Sequence, residues 1–150
     1  QRGCQMGPSL AVLRFQAITP KCASRLYKDP SMFNKIAADN YATLDDLEMP
    51  RAEYVGFYYG RALAAILVLT AYKDGYLGHA QILPEYRMKF IGFGKAYFEA
   101  KTFRIYAVVP NKYRSYQKIC KRLGFTKASD LPRMYLKGGV VYDGEELVHG

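Results

Sequence analysis

His79 stands between Gly78 and Ala80 in a run, Tyr76–Leu83, that Pro84 closes. Small neighbours leave room beside the imidazole for a substrate, and histidine titrates nearer neutrality than other side chains, so His79 is the best-placed general base. The competing reading is a structural histidine held by hydrogen bonds. His149 lies in the terminal segment with no motif around it. Arg114, Lys118, Lys121 and Arg122 recur at i, i+4, i+7 and i+8, a basic stripe along one helix face. Such a stripe is either solvated surface or an attraction for phosphates, whether of a nucleotide cofactor or of nucleic acid, with Tyr113 and Tyr116 as stacking groups. Known nucleic-acid motif spellings are absent, so nucleic acid ranks second. No Ser-His-Asp arrangement, paired-carboxylate pocket or metal-ligand cluster stands out, which leaves hydrolase and metalloenzyme readings unsupported and predicts no metal.

Positioning those groups requires a fold, and the pattern supplies one. Leu10–Ile18 has a strand pattern ended by Thr19-Pro20, and helical segments follow at Ala23–Tyr27 and Ser31–Ala38 before a polar connection over Asp39–Pro50. Three antiparallel strands, Tyr54–Tyr59, Ala62–Tyr72 and Tyr76–Leu83, are joined by Gly60-Arg61 and Lys73-Asp74-Gly75 turns. Helical spacing returns at Phe90–Lys101, then a strand at Phe103–Val109. A helix at Lys112–Leu123 carries an inward stripe of Tyr116, Ile119, Cys120 and Leu123 and stops at Gly124. Phe125-Thr126 begins another strand, and Arg133–Lys137 with Val140–Asp143 form a last hairpin.

Composition bounds the answer. The 150 residues carry 22 Lys+Arg against 13 Asp+Glu, a formal charge of +9, with half the residues apolar and 15% aromatic. That excludes a disordered chain and predicts one domain over 10–150, with residues 1–9 a leader or remnant outside it. The longest apolar run, Ala62–Tyr72, is far short of the roughly 20 residues of a membrane span, so it reads as a buried strand and no membrane partner is expected. Cys4, Cys22 and Cys120 are odd in number and widely spaced, which predicts neither a disulfide framework nor zinc and points to the cytoplasm.

Two segments give this order a family likeness. Ile82-Leu83-Pro84-Glu85-Tyr86-Arg87-Met88-Lys89-Phe90-Ile91-Gly92 resembles the acyl-CoA segment of the GNAT superfamily of N-acetyltransferases, with its Arg-x-x-Gly-x-Gly entry to a helix. Tyr113–Phe125 resembles that family's Asn-x-x-Ala-x-x-x-Tyr-x-x-Leu-Gly-Phe helix. The likeness runs from Leu10 to Val148 and implies an α/β (α+β) fold, a central mixed but mostly antiparallel sheet of six to seven strands flanked by about four helices. It also implies direct acetyl transfer from acetyl-CoA to an amine acceptor. In that scheme backbone N–H groups at Gln81 and Ile82 hold the pantetheine arm or the thioester carbonyl. Arg87, Met88, Lys89, Phe90, Ile91 and Gly92 form the phosphate cradle, joined by Tyr113.

Within the resemblance His79 is the base, and Cys120 stands where the family's tyrosine protonates the departing thiolate. Tyr116, one turn earlier on the same face, could replace the lost hydroxyl. The middle glycine is replaced by Phe90, whose ring would crowd the cradle; the register Lys89-Phe90-Ile91-Gly92-Phe93-Gly94 restores both glycines but starts with lysine. Leu131–Asp143 resembles the ending of ribosomal-protein N-terminal acetyltransferases and their phage-encoded relatives. Two functions follow: an acyltransferase acting on a primary amine, or a scaffold that has lost catalysis and serves as a binding or structural module, for instance in a phage particle. The oligomeric state is open, a homodimer among the options.

Overall fold

The computed structural model describes residues 13–27 and 52–150. The leader, the helix expected at Ser31–Ala38 and the Asp39–Pro50 connection lie outside the described residues. Strand β1 (Leu13–Ile18) leads into helix α1 (Pro20–Tyr27). Pro20 suits a first helical turn, where its missing N–H removes no bond, and the Thr19 hydroxyl caps that turn by accepting the Cys22 N–H at 3.2 Å. Strands β2 (Glu53–Tyr59), β3 (Ala62–Tyr72) and β4 (Gly75–Ile82) form the expected meander. Helix α2 (Arg87–Glu99), strand β5 (Ile105–Pro110), helix α3 (Arg114–Arg122) and strands β6 (Thr126–Lys137) and β7 (Val140–His149) complete the order, with single 3-10 turns at Pro84–Tyr86 and Asn111–Tyr113.

All seven strands join one sheet in the order β1-β2-β3-β4-β5-β7-β6. One face packs under α2 and α3 in a core of Phe57, Leu67, Phe90, Tyr97, Phe98, Ile105, Leu123 and Leu147; the other packs Tyr54, Ile66 and Val68 against Ala23 and Leu26 of α1. The long apolar run of β3 follows from this burial on both faces.

Every strand pair is antiparallel except β4 with β5, which pair in parallel at only two positions, Tyr76↔Ile105 and Leu77↔Tyr106. Beyond them the strands part, β5 being held on its other side by β7 through Pro110↔Gly144. A polar clasp fastens the closed end. Tyr72 Oη donates to Glu146 Oε2 at 2.5 Å and Lys73 Nζ to Oε1 at 2.9 Å, while Asp74 accepts from Tyr106 Oη at 2.6 Å and Arg104 at 3.1 Å. Gly75 lies so close to this vertex that a Cβ there would sit 2.2 Å from the Arg104 carbonyl oxygen, the acceptor for the Tyr76 N–H.

Two expectations change. The strand begun at Phe125-Thr126 and the hairpin strand Arg133–Lys137 are one strand, β6, which runs through Pro132: an edge strand tolerates proline, and Arg133 takes φ +50° at a bulge where its N–H donates to Asp143 Oδ1 at 2.8 Å. The three α-helices expected among the described residues all flank the sheet, and the fourth, at Ser31–Ala38, lies outside them. Cys120 is a free thiol but Cys22 is disulfide-bonded, since distance along the chain does not set distance in space.

Glu146 is buried, and the Tyr72 hydroxyl and the Lys73 ammonium hold its carboxyl below the usual carboxylate range. Its stabilisation is therefore complete above the unfolded-state pKa of about 4.3 and is lost as pH falls through the lower folded value. Glu146→Gln should cost about 1–2 kcal/mol at pH 7 once the exposure of Lys73 is allowed for. Thermal unfolding should show that gap closing as the pH drops below about 4.

Candidate active site

Where β4 and β5 part, a mostly apolar cleft of about 330 Å³ opens, a size typical of small-molecule sites. Gly78–Ile82 form one wall, Ala107–Pro110 the other, with Leu67, Phe90 and Leu123 among the side chains beneath them. Between the walls run N–H and C=O groups that no ladder pairs across the gap, a polar seam for an extended ligand inside an apolar cavity.

Strand alternation divides the β4 side chains. His79 and Gln81 stand opposite Val68 and Ile66, which pack under α1, whereas Ala80 and Ile82 stand opposite Leu67 and Ala65 of the other core. No group among the described residues hydrogen-bonds the His79 imidazole. His79 is exposed, yet desolvation by the surrounding protein lowers its pKa below the usual 6.5. It is neutral at pH 7. Gln81 is 7% exposed, and its Oε1 has no hydrogen-bond partner.

The start of α2 lacks a side-chain cap: the Arg87 N–H bonds the Pro84 carbonyl of the preceding 3-10 turn, and the Tyr86 side chain makes no capping bond to the helix start, the kind of end that suits an anion. Arg87 turns toward α3, donating to the Tyr116 hydroxyl at 3.1 Å with its guanidinium over the Tyr116 ring. Lys89 lies 3.8 Å from the centre of the Tyr59 ring. Met88 is exposed, Ile91 half-buried, and a Cβ at Gly92 would meet nothing within 4 Å, so this part of the helix is open to approach.

Phe90 corrects the expectation of a crowded cradle. Its ring is 2% exposed and meets Phe57 edge-on at 4.9 Å, because its helical position faces the core. The glycine of the other register has a packing purpose: a Cβ at Gly94 would lie 3.0 Å from the Phe90 ring and 2.9 Å from Leu123, so glycine lets α2 approach α3.

Tyr113 stacks on Tyr116 with ring centres 5.6 Å apart, and its hydroxyl meets that of Tyr135 at 3.1 Å. With Cys120 these tyrosines line the α3 side of the cleft, so His79, Tyr116 and Cys120, separate in sequence, share one cavity. Burial pushes the Cys120 thiol up to about 11. Of the basic stripe, Lys121 pairs with Glu145 at 3.3 Å, while Arg114, Lys118 and Arg122 are exposed. Sequence reasoning missed Gln117, which is buried and donates to Val109 O at 3.0 Å and Asn111 Oδ1 at 2.8 Å. It ties the end of β5 to α3, and only its place on the inward face of an amphipathic helix could have flagged it. His149 packs on Phe98 and Phe125, two residues of the cleft lining, but does not line the cleft itself.

No family model and no curated protein matches the chain. Solved structures do. A spermidine N-acetyltransferase from Vibrio cholerae, in complex with CoA and spermine, superposes with a TM-score of 0.67 at 13% identity over 91% of this chain and 94% of its own. The dodecameric form of spermidine N-acetyltransferase from that organism gives 0.65 at 15% identity over 91% and 92%. The IAA acetyltransferase from Bacillus cereus gives 0.64 at 14% identity over 91% and 98%. The architecture is the GNAT fold, a mixed α+β domain with a mostly antiparallel seven-stranded sheet.

Since Phe90 is a core residue, Phe90→Ala should cost about 3–5 kcal/mol of stability. Urea unfolding should show that loss, where a ring merely obstructing a ligand would be removed at no cost.

Proposed function

We propose that this protein is an acyl-CoA-dependent N-acyltransferase that moves an acetyl group directly from acetyl-CoA to a primary amine of a protein or small molecule. The observation that carries the reading is the parting of β4 and β5, which leaves unpaired backbone groups along an apolar cleft where the GNAT resemblance expects the pantetheine arm. The uncapped first turn of α2, with Arg87 and Lys89 beside it and Gly92 open, fits the pyrophosphate. A CoA complex of a protein of the same fold supports this choice of co-substrate.

The chemistry divides between the walls of the cleft. The acceptor nitrogen attacks the thioester carbonyl as neutral His79 takes its proton, and backbone N–H groups at Gln81 and Ile82 stabilise the oxyanion. The C–S bond then breaks and the thiolate needs a proton. Tyr116 supplies it: its oxygen accepts from Arg87, which leaves its own hydrogen free for the cleft. Cys120, with its thiol at about 11, holds its proton too tightly to pass it to a thiolate of ordinary pKa, about 8.5. In this scheme Cys120 is wall. The spelling of Leu131–Asp143 favours a protein N-terminus as acceptor in a phage-type or ribosomal-protein-type member. Among the described residues no helix is long and apolar enough to cross a membrane, and the supply of acyl-CoA favours the cytoplasm.

Calorimetric titration should detect acetyl-CoA; no binding at millimolar cofactor overturns the reading. With activity in hand, kcat/KM should fall as pH drops through an apparent pKa below 6.5, and His79→Ala should remove that limb. Tyr116→Phe should lower kcat by roughly a hundredfold. Cys120→Ser should stay within a few-fold of wild type.

A further inference from the structure

We propose that the side chain of Gln81 positions the acceptor, its Oε1 accepting an N–H from the attacking nitrogen, and that this selects primary over secondary amines. The inference rests on the acyltransferase reading. Gln81 lines the cleft yet is 7% exposed, and its carbonyl oxygen has no partner. An unpaired buried acceptor is destabilising, a cost relieved when a ligand supplies a donor. The sheet register puts Gln81 on the face that carries His79, two residues away and thus about 6.6 Å along the strand. Two hydrogen bonds of about 3 Å that diverge from one nitrogen near the tetrahedral angle put their acceptors about 5 Å apart, a separation that two side chains rooted at that spacing can hold.

The reaction needs such an atom. At the moment of attack an uncharged primary amine points its lone pair at the carbonyl carbon and has two N–H bonds left. One faces His79, which takes that proton as the N–C bond forms and the C–S bond breaks; the other is held by Gln81 Oε1. A secondary amine has a single N–H, so it satisfies either the base or the glutamine, never both. Amide and oxyanion contacts to the thioester come from the backbone of the same strand, which leaves the side chain to the acceptor.

The test compares wild type with Gln81→Met, which keeps the length and removes the acceptor atom, and Gln81→Glu, which keeps an acceptor oxygen and removes the donor. Spermidine, n-butylamine and an alanine-leading peptide are the probes, each paired with its N-methyl derivative, with acetyl-CoA saturating. Gln81→Met should raise the amine KM about tenfold, leave the KM for acetyl-CoA unchanged and bring the primary-to-secondary preference close to parity. Its Tm should be unchanged or higher, because an unpaired polar group has been removed. Gln81→Glu should keep the amine KM within about threefold. A Tm loss or failure to fold in Gln81→Met marks a structural role and overturns the proposal, as does an unchanged amine KM or a loss of amine binding in Gln81→Glu. Wild type inactive on every amine overturns both this role and the acyltransferase reading, whereas an active wild type with an unaltered Gln81→Met variant overturns this role alone.

Discussion

The structure turns on a parallel pairing two residues long. Tyr76↔Ile105 and Leu77↔Tyr106 bring β4 and β5 together, after which each strand follows its other neighbour, β4 staying with β3 and β5 with β7. A longer ladder would close the sheet and leave no cleft. A shorter one would free the two halves from each other. The clasp around Glu146 and Asp74 sits at that vertex, where its bonds tie the β3–β4 hairpin to β5 and β7.

From this opening the two faces of the sheet acquire different tasks. The face under α2 and α3 supplies a helix start without a cap, Arg87 and the stacked tyrosines. The face under α1 receives His79 and Gln81 from β4. Side-chain alternation on one strand therefore separates groups suited to an anionic co-substrate from groups suited to an amine. The aromatic residues of α2 secure the arrangement: Phe90, Tyr97 and Phe98 meet Phe57 or Phe125 edge-on, so the helix whose first turn faces the cleft is fixed to the sheet.

Much of this was legible in order and spacing. The β2–β4 meander follows from turns at Gly60 and Asp74 between apolar runs, and α3 from an apolar stripe ending at Gly124. Boundaries moved where local signals met tertiary constraint. Phe125-Thr126 and Arg133–Lys137 read as two strands, but an edge strand needs no N–H at Pro132, so they run on as one. Phe90 at a glycine position suggests obstruction, but whether a helical residue faces ligand or core depends on which side of the helix meets the sheet. Cys22 suggests an unbridged thiol because sequence separation hides proximity.

The sequence by itself determined the element order, the two apolar faces and the cluster of candidate groups on β4 and α3, because periodicity and turn chemistry are local properties. Only the tertiary structure decided where β4 and β5 stop pairing, and so that His79, Tyr116 and Cys120 line one cavity. It alone decided that Cys120 is too buried to release its proton readily, that Arg87 leans on Tyr116, and that Gln81 Oε1 has no hydrogen-bond partner. Those properties depend on desolvation and on neighbours distant in the chain, which no local pattern encodes.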